Sequence, residues 1–85
     1  MNEIDAIFDS LNSHRHSKRL EAFSLIEGIN TLSALKEFIA RSLEMNDNEL
    51  YLIAINKLEK ATISSDIETS SFAIEALNNF SYISS

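Results

Sequence analysis

The sequence predicts an all-α fold of about five short helices, and three observations predict it. Apolar residues recur at three- and four-residue spacings along most of the chain, the period of a helix face. There is no proline and a single glycine, so proline-rich linkers and glycine-dependent hairpin turns find no support. Runs of Asn, Asp, Ser and Thr separate the periodic stretches, and these residues cap helices and close turns.

A first helix is expected over 2–12. Ile4, Ile7, Phe8 and Leu11 form one stripe there, with Glu3, Asp5 and Asp9 opposite. Asn2 is its expected cap, and the early acids suit the positive end of the helix dipole. A second helix is expected over 17–29, with Leu20, Phe23, Ile26 and Ile29 inward and Ala22 and Leu25 widening the buried face. Gly28-Ile29-Asn30 is the expected stop, through the left-handed conformation that Gly and Asn tolerate.

Thr31 reads as the cap of a third helix over 31–45, with Leu32, Leu35, Phe38, Ile39 and Ser42 facing inward. Asn46 or Asp47 then opens a fourth helix over 47–61, Glu49 standing three after Asn46 as in a capping box. This helix is apolar almost all round from Leu50 to Ile55, which marks it as central. After a T62-I-S-S65 break, Ser65 with Glu68 makes a capping box for a fifth helix over 66–80. The tail from Ser81 to Ser85 is expected to fray, with Tyr82 and Ile83 able to pack back. Phe8, Phe23, Phe38, Phe72 and Phe80 are assigned to the core. Connections of a few residues make neighbouring helices roughly antiparallel. A compact helical bundle and a short stack of α-hairpins both fit.

One eight-residue phrase occurs three times, as A22-F-S-L-I-E-G-I29, A54-I-N-K-L-E-K-A61 and A73-I-E-A-L-N-N-F80. Each opens with alanine, continues with a bulky apolar residue and places an aliphatic at its fifth position. Alanine lets a neighbouring helix approach closely, and the aliphatics one, three or four residues later supply the burial. The phrase resembles the second helix of a HEAT repeat, an armadillo-type helical hairpin, over about residues 19–80. Ala22, Ala54 and Ala73 match the family's alanine, and Ile26, Leu58 and Leu77 its leucine. The family's arginine is present as Arg19, with Tyr51 and Ser70 in its place elsewhere, and its aspartate is present as Asp47 and Asp66. Its glycine is replaced by Glu27, Glu59 and Asn78. The resemblance implies stacked hairpins, and an ion pair between Arg19 and Asp47 of the kind that ladders adjacent repeats.

Eighty-five residues suit a single helical domain spanning 1–85. The absence of cysteine excludes disulfides and thiolate metal sites. The start M1-N-E-I-D-A has neither a cationic nor an apolar leader segment, and the longest apolar run, L50-Y-L-I-A-I55, is far short of a membrane span. No membrane association and a cytoplasmic location are therefore expected. The net charge of −6 is unevenly spread. Residues 1–12 and 62–85 carry acids and no base, while S13-H-R-H-S-K-R19 holds Arg15, Lys18, Arg19 and both histidines.

Chemistry is thinly represented. His14-Arg15-His16 has the His-x-His spacing, yet residues two apart on a helix diverge and no cysteine assists, so no metal is expected. The histidines share one turn and no nucleophile elbow exists, which leaves no catalytic residue to name. One glycine builds no phosphate loop, and no cofactor is expected. Three cations on an acidic chain, without an interleaved aromatic, argue against nucleic acid. What remains is surface. His14, Arg15, His16, Lys18, Tyr51 and Tyr82 are the candidate partner-binding residues, the tyrosines because that residue is enriched at interfaces. The expected function is a small, acidic, non-catalytic module that binds another protein. One alternative is an immunity-type inhibitor blocking a basic toxin or nuclease. The other is a structural subunit that self-associates as a homo-oligomer.

Overall fold

The computed structural model describes the backbone of residues 3–84 and the side chains of residues 3–80. The fold is all-α: α1 (Glu3–Leu11), α2 (His16–Glu27), α3 (Leu32–Glu44), α4 (Asn48–Ala61) and α5 (Ile67–Ser84). Asn2, expected as a cap, and the side chains of Tyr82 and Ile83 lie outside the described residues. The chain divides into two units, residues 1–38 and 39–85.

In the first unit α1 packs on α2. Ile4, Ile7, Phe8 and Leu11 are all buried, as their stripe predicted. Phe38 is fully buried, and its ring centroid lies 6.0 Å from that of Phe8 at a 42° tilt. On α2 the buried residues are Ala22 and Ile26, with Ile29 buried just beyond the helix end. Leu20, expected inside, is 54% exposed. It stands two residues before Ala22, about 200° round the helix and hence on the opposite face. Phe23 and Leu25, on the flanks of that face, are only partly buried, and so is Leu32 at the start of α3.

The ends of α2 and α3 show which local rules operate. α2 stops at Gly28, but with φ −79° this glycine is right-handed, so the left-handed stop expected there is corrected. Instead the amides of Gly28 and Ile29 donate to the carbonyls of Leu25 and Ile26 at 3.0 and 3.1 Å, a tightened final turn that leaves fewer carbonyls open. Thr31 caps α3 as expected: its Oγ1 accepts from the Ala34 amide at 3.2 Å.

The second unit takes the latter half of α3 together with α4 and α5, and α4 packs on α5. Ile39 and Ser42 are buried on α3. Between α3 and α4, Asn46 has φ 53°, the left-handed conformation that asparagine tolerates. Asp47, and not Asn46, is then the cap of α4, its Oδ1 accepting from the amides of Glu49 at 3.0 Å and Leu50 at 3.2 Å. α4 buries the single stripe Leu50, Ala54 and Leu58. Leu52 is 65% exposed, so α4 is one-sided rather than buried all round.

The α4–α5 turn is knitted by hydroxyls. Thr62 Oγ1 donates to the Glu59 carbonyl at 2.6 Å, and Ser70 Oγ donates to the Thr62 carbonyl at 2.8 Å, tying the first turns of α5 to the end of α4. Asp66 caps α5 in place of the expected Ser65. Its Oδ2 accepts from the Thr69 amide at 3.2 Å and from Thr69 Oγ1 at 2.6 Å. An aspartate one residue nearer the helix reaches the free amides that a serine at 65 does not. Ala73, Ala76 and Phe80 are buried along α5, while Phe72 is only partly so. The helix continues to Ser84, where fraying from Ser81 was expected. No glycine or proline stands between Phe80 and Ser84 to break its hydrogen-bond ladder.

Ala22, Ala54 and Ala73, the heads of the repeated phrase, are all fully buried. At the fifth position Ile26 and Leu58 are fully buried and Leu77 partly. The second position is not a core position: Phe23 and Ile55 are intermediate, and Ile74 is exposed. A residue four on from the alanine is turned by only about 40° and shares its face; the next residue is turned by about 100° and falls on the flank.

Candidate functional site

The basic turn between α1 and α2 is built on backbone closure. The amides of Asn12 and Ser13 donate to the carbonyls of Phe8 and Ser10, and Ser13 Oγ accepts from the Arg15 amide at 3.2 Å. Arg15 is the N-cap residue of α2, and its side chain makes no capping hydrogen bond. The first turn of α2 holds no acid, so Arg15, Lys18 and Arg19 gather at the helix end where the dipole already disfavours cations.

His14, Arg15, His16 and Lys18 are all exposed, so the structure brings four of the predicted partner-binding residues together on one turn. Two neighbouring cations are engaged within the unit. Lys18 Nζ lies 3.4 Å from Glu21 Oε2. The Arg19 guanidinium sits 5.5 Å from the Phe23 ring centroid and donates to the Leu11 carbonyl at 3.4 Å.

Tyr51 is placed differently. It is half-buried in the second unit, with its ring centroid 5.1 Å from that of Phe80 and its hydroxyl donating to the Phe80 carbonyl at 3.4 Å. Tyr51 also lines a recess of about 200 Å³, together with Ser42, Leu43, Asn46, Asp47 and Asn48. The carboxylate there, Asp47, is committed to capping α4. The Tyr82 side chain, the remaining predicted contact, is outside the described residues.

A second surface, which the residue pattern had not singled out, lies along α5. Ile67, Ser71, Ile74 and Asn78 are all exposed at spacings i, i+4, i+7 and i+11, one ridge turned away from Ala73, Ala76 and Phe80. Ile67 is 79% exposed and Ile74 51%, and Ile63, in the turn that feeds α5, is 86% exposed. Glu68 and Glu75, both exposed, line one flank of the ridge. Their neighbours three and four residues away are all Ser, Phe or Asn, so no cation on their own helix can meet them. The signal that finds this surface is the register of the buried alanine: Ile67 and Ile74 fall off the Ala73 face.

Among the described residues, no three His, Asp or Glu side chains gather as a metal-ligand set, and no carboxylate or imidazole is buried. No helix among them is long and apolar enough to cross a membrane. No protein-family model matches this chain, and no curated protein or solved structure does.

Proposed function

We propose that this chain is a small, acidic, non-catalytic module that binds another protein. The observation that carries the reading is the outward placement of Ile63, Ile67 and Ile74 within twelve consecutive residues of the second unit. Isolated surface aliphatics are ordinary, but a row of them on one helix face and its lead-in turn is the surface a partner covers. Full burial of such a side chain contributes about 1.5–3 kcal/mol, so covering three yields a useful binding energy even after association costs are subtracted. That no described carboxylate or imidazole is buried supports the non-catalytic side of the reading, because tuned acids and bases are commonly buried.

The HEAT-like resemblance belongs to the same proposal, and the complete burial of Ala22, Ala54 and Ala73 supports it. So does the basic turn as an additional contact for the partner, through His14, Arg15, His16 and Lys18. The cytoplasm is the compartment this reading assumes. An inhibitor of a basic toxin or nuclease is the second reading, favoured by the acids of residues 62–85, which contain no base.

Site-directed photo-crosslinking in the native cells tests the proposal. A photoreactive residue at position 67 is expected to yield one discrete protein adduct, and the same residue at Asp9 on α1 none. Absence of a discrete adduct from positions 63, 67 and 74, and from the basic turn, overturns it.

A further inference from the structure

The α5 ridge has a chemistry that restricts what covers it. Its apolar positions, Ile67 and Ile74, are about two helical turns apart, a separation of about 10 Å that matches i, i+7 anchors on a facing helix. Its flank is acidic, through Glu68 and Glu75, and Asp66 precedes it at the cap. From residue 62 to the carboxyl end the sequence contains no lysine, arginine or histidine.

We infer that the α5 ridge docks a cationic amphipathic helix of another protein, with aliphatic side chains seated on Ile67 and Ile74 and lysine or arginine against Glu68 and Glu75. The inference rests on the binding-module reading and names the chemistry of the partner. Charge separates this occupant from a second copy of the chain. An antiparallel two-fold contact through α5 sets the same flank against itself, so Glu68 and Glu75 of one copy confront those of the other. Like charges facing each other across an interface are disfavoured, whereas a cationic helix brings attraction as well as apolar cover. The same acids repel anionic lipid surfaces, which removes the commonest alternative use of an amphipathic face.

The probe is a synthetic helical peptide of leucine and lysine with its leucines at i, i+3, i+4 and i+7. Two controls accompany it: a leucine–glutamate peptide with the same apolar face, and a leucine–lysine peptide of scrambled order. Fluorescence anisotropy with the full chain is expected to show binding of the first alone, weakening as salt shortens the screening length from about 10 Å at 0.1 M. The double variant Ile67→Ser/Ile74→Ser is expected to weaken binding at least about tenfold, and Glu68→Gln/Glu75→Gln to weaken it several-fold while flattening the salt dependence. All four side chains are exposed, and circular dichroism checks that both variants keep their helices.

Equal binding of the scrambled or glutamate peptide overturns the inference. So does unchanged binding by the isoleucine variant, isoleucine-dependent binding to neutral lipid vesicles, or a sedimenting dimer that Ile67→Ser/Ile74→Ser dissociates. If the peptide fails while the position-67 crosslink to a cellular protein persists, the cationic chemistry is wrong and the binding module stands. If the peptide fails and positions 63, 67 and 74 and the basic turn all give no adduct, the module reading falls with it.

Discussion

Tyr51 and Phe80, 29 residues apart in sequence, are joined twice: ring to ring at 5.1 Å, and from the Tyr51 hydroxyl to the Phe80 carbonyl at 3.4 Å. This pair holds the start of α4 against the later turns of α5. It also shows what a tyrosine chosen as an interface anchor is doing in the folded chain, since much of its ring is spent inside the second unit.

The pair predicts a graded loss of stability. Tyr51→Phe keeps the ring and removes a long hydrogen bond, costing about 0.5–1 kcal/mol. Tyr51→Ala removes both contacts; because the side chain is only half-buried, about 2–3 kcal/mol is expected, below the range for a fully buried aromatic. Urea unfolding followed by circular dichroism measures both. Equal losses in the two variants contradict the ring contact as the larger contribution.

The buried alanines predict an asymmetry within the repeated phrase. Leucine at position 22, 54 or 73 has no space to enter and is expected to cost about 1–3 kcal/mol. Leu20→Ala and Leu52→Ala, two residues upstream of Ala22 and Ala54, remove exposed side chains and should stay within about 0.5 kcal/mol of the parent. Thermal melts of the five variants distinguish a periodic buried face from a uniformly apolar one.

Cap assignment is tested by neighbours. Asp47→Ala and Asp66→Ala each remove a carboxylate that holds free helix amides, for an expected loss of about 1 kcal/mol. Ser65→Ala, at the position the capping-box pattern had favoured, should change stability by less than about 0.5 kcal/mol. A Ser65→Ala loss as large as that of Asp66→Ala reverses the assignment.

Asn46 carries the left-handed backbone between α3 and α4. Asn46→Val forces a β-branched residue into that conformation and should cost about 1–2 kcal/mol, while Asn46→Gly adopts it freely and should be no less stable than the parent. Equal losses in the two variants point to a lost side-chain contact instead of backbone strain.

Much of the local structure was legible in the residues. The stripe Ile4, Ile7, Phe8 and Leu11 specifies α1 and its buried face together, because an i, i+3, i+4, i+7 pattern leaves one way to turn the helix. Thr31 was recognisable as a cap, since a threonine just before an apolar helical pattern has few other uses. Gly28 marked the correct end for a reason that does not operate, as its backbone stays right-handed. Ser65 and Asp66 show the limit of such motifs: adjacent residues both fit, and a one-residue difference in where the helix begins decides between them.

Of the candidate site, the clustering of His14, Arg15, His16 and Lys18 on one exposed turn was legible, because those residues are adjacent in the chain. The α5 ridge was not. Ile67 and Ile74 look like core material, and only the packing of Ala73, Ala76 and Phe80 turns them outward. Leu20 and Leu52 were misjudged for the same reason. By itself, the sequence determined that there are five helices and roughly where each starts, since periodicity, caps and breakers act within a turn or two of the chain. The tertiary structure decided which side of α2, α4 and α5 is inside. Helices rich in aliphatics offer several faces of similar burial energy, and the one that a neighbour can approach most closely, at the alanines, prevails.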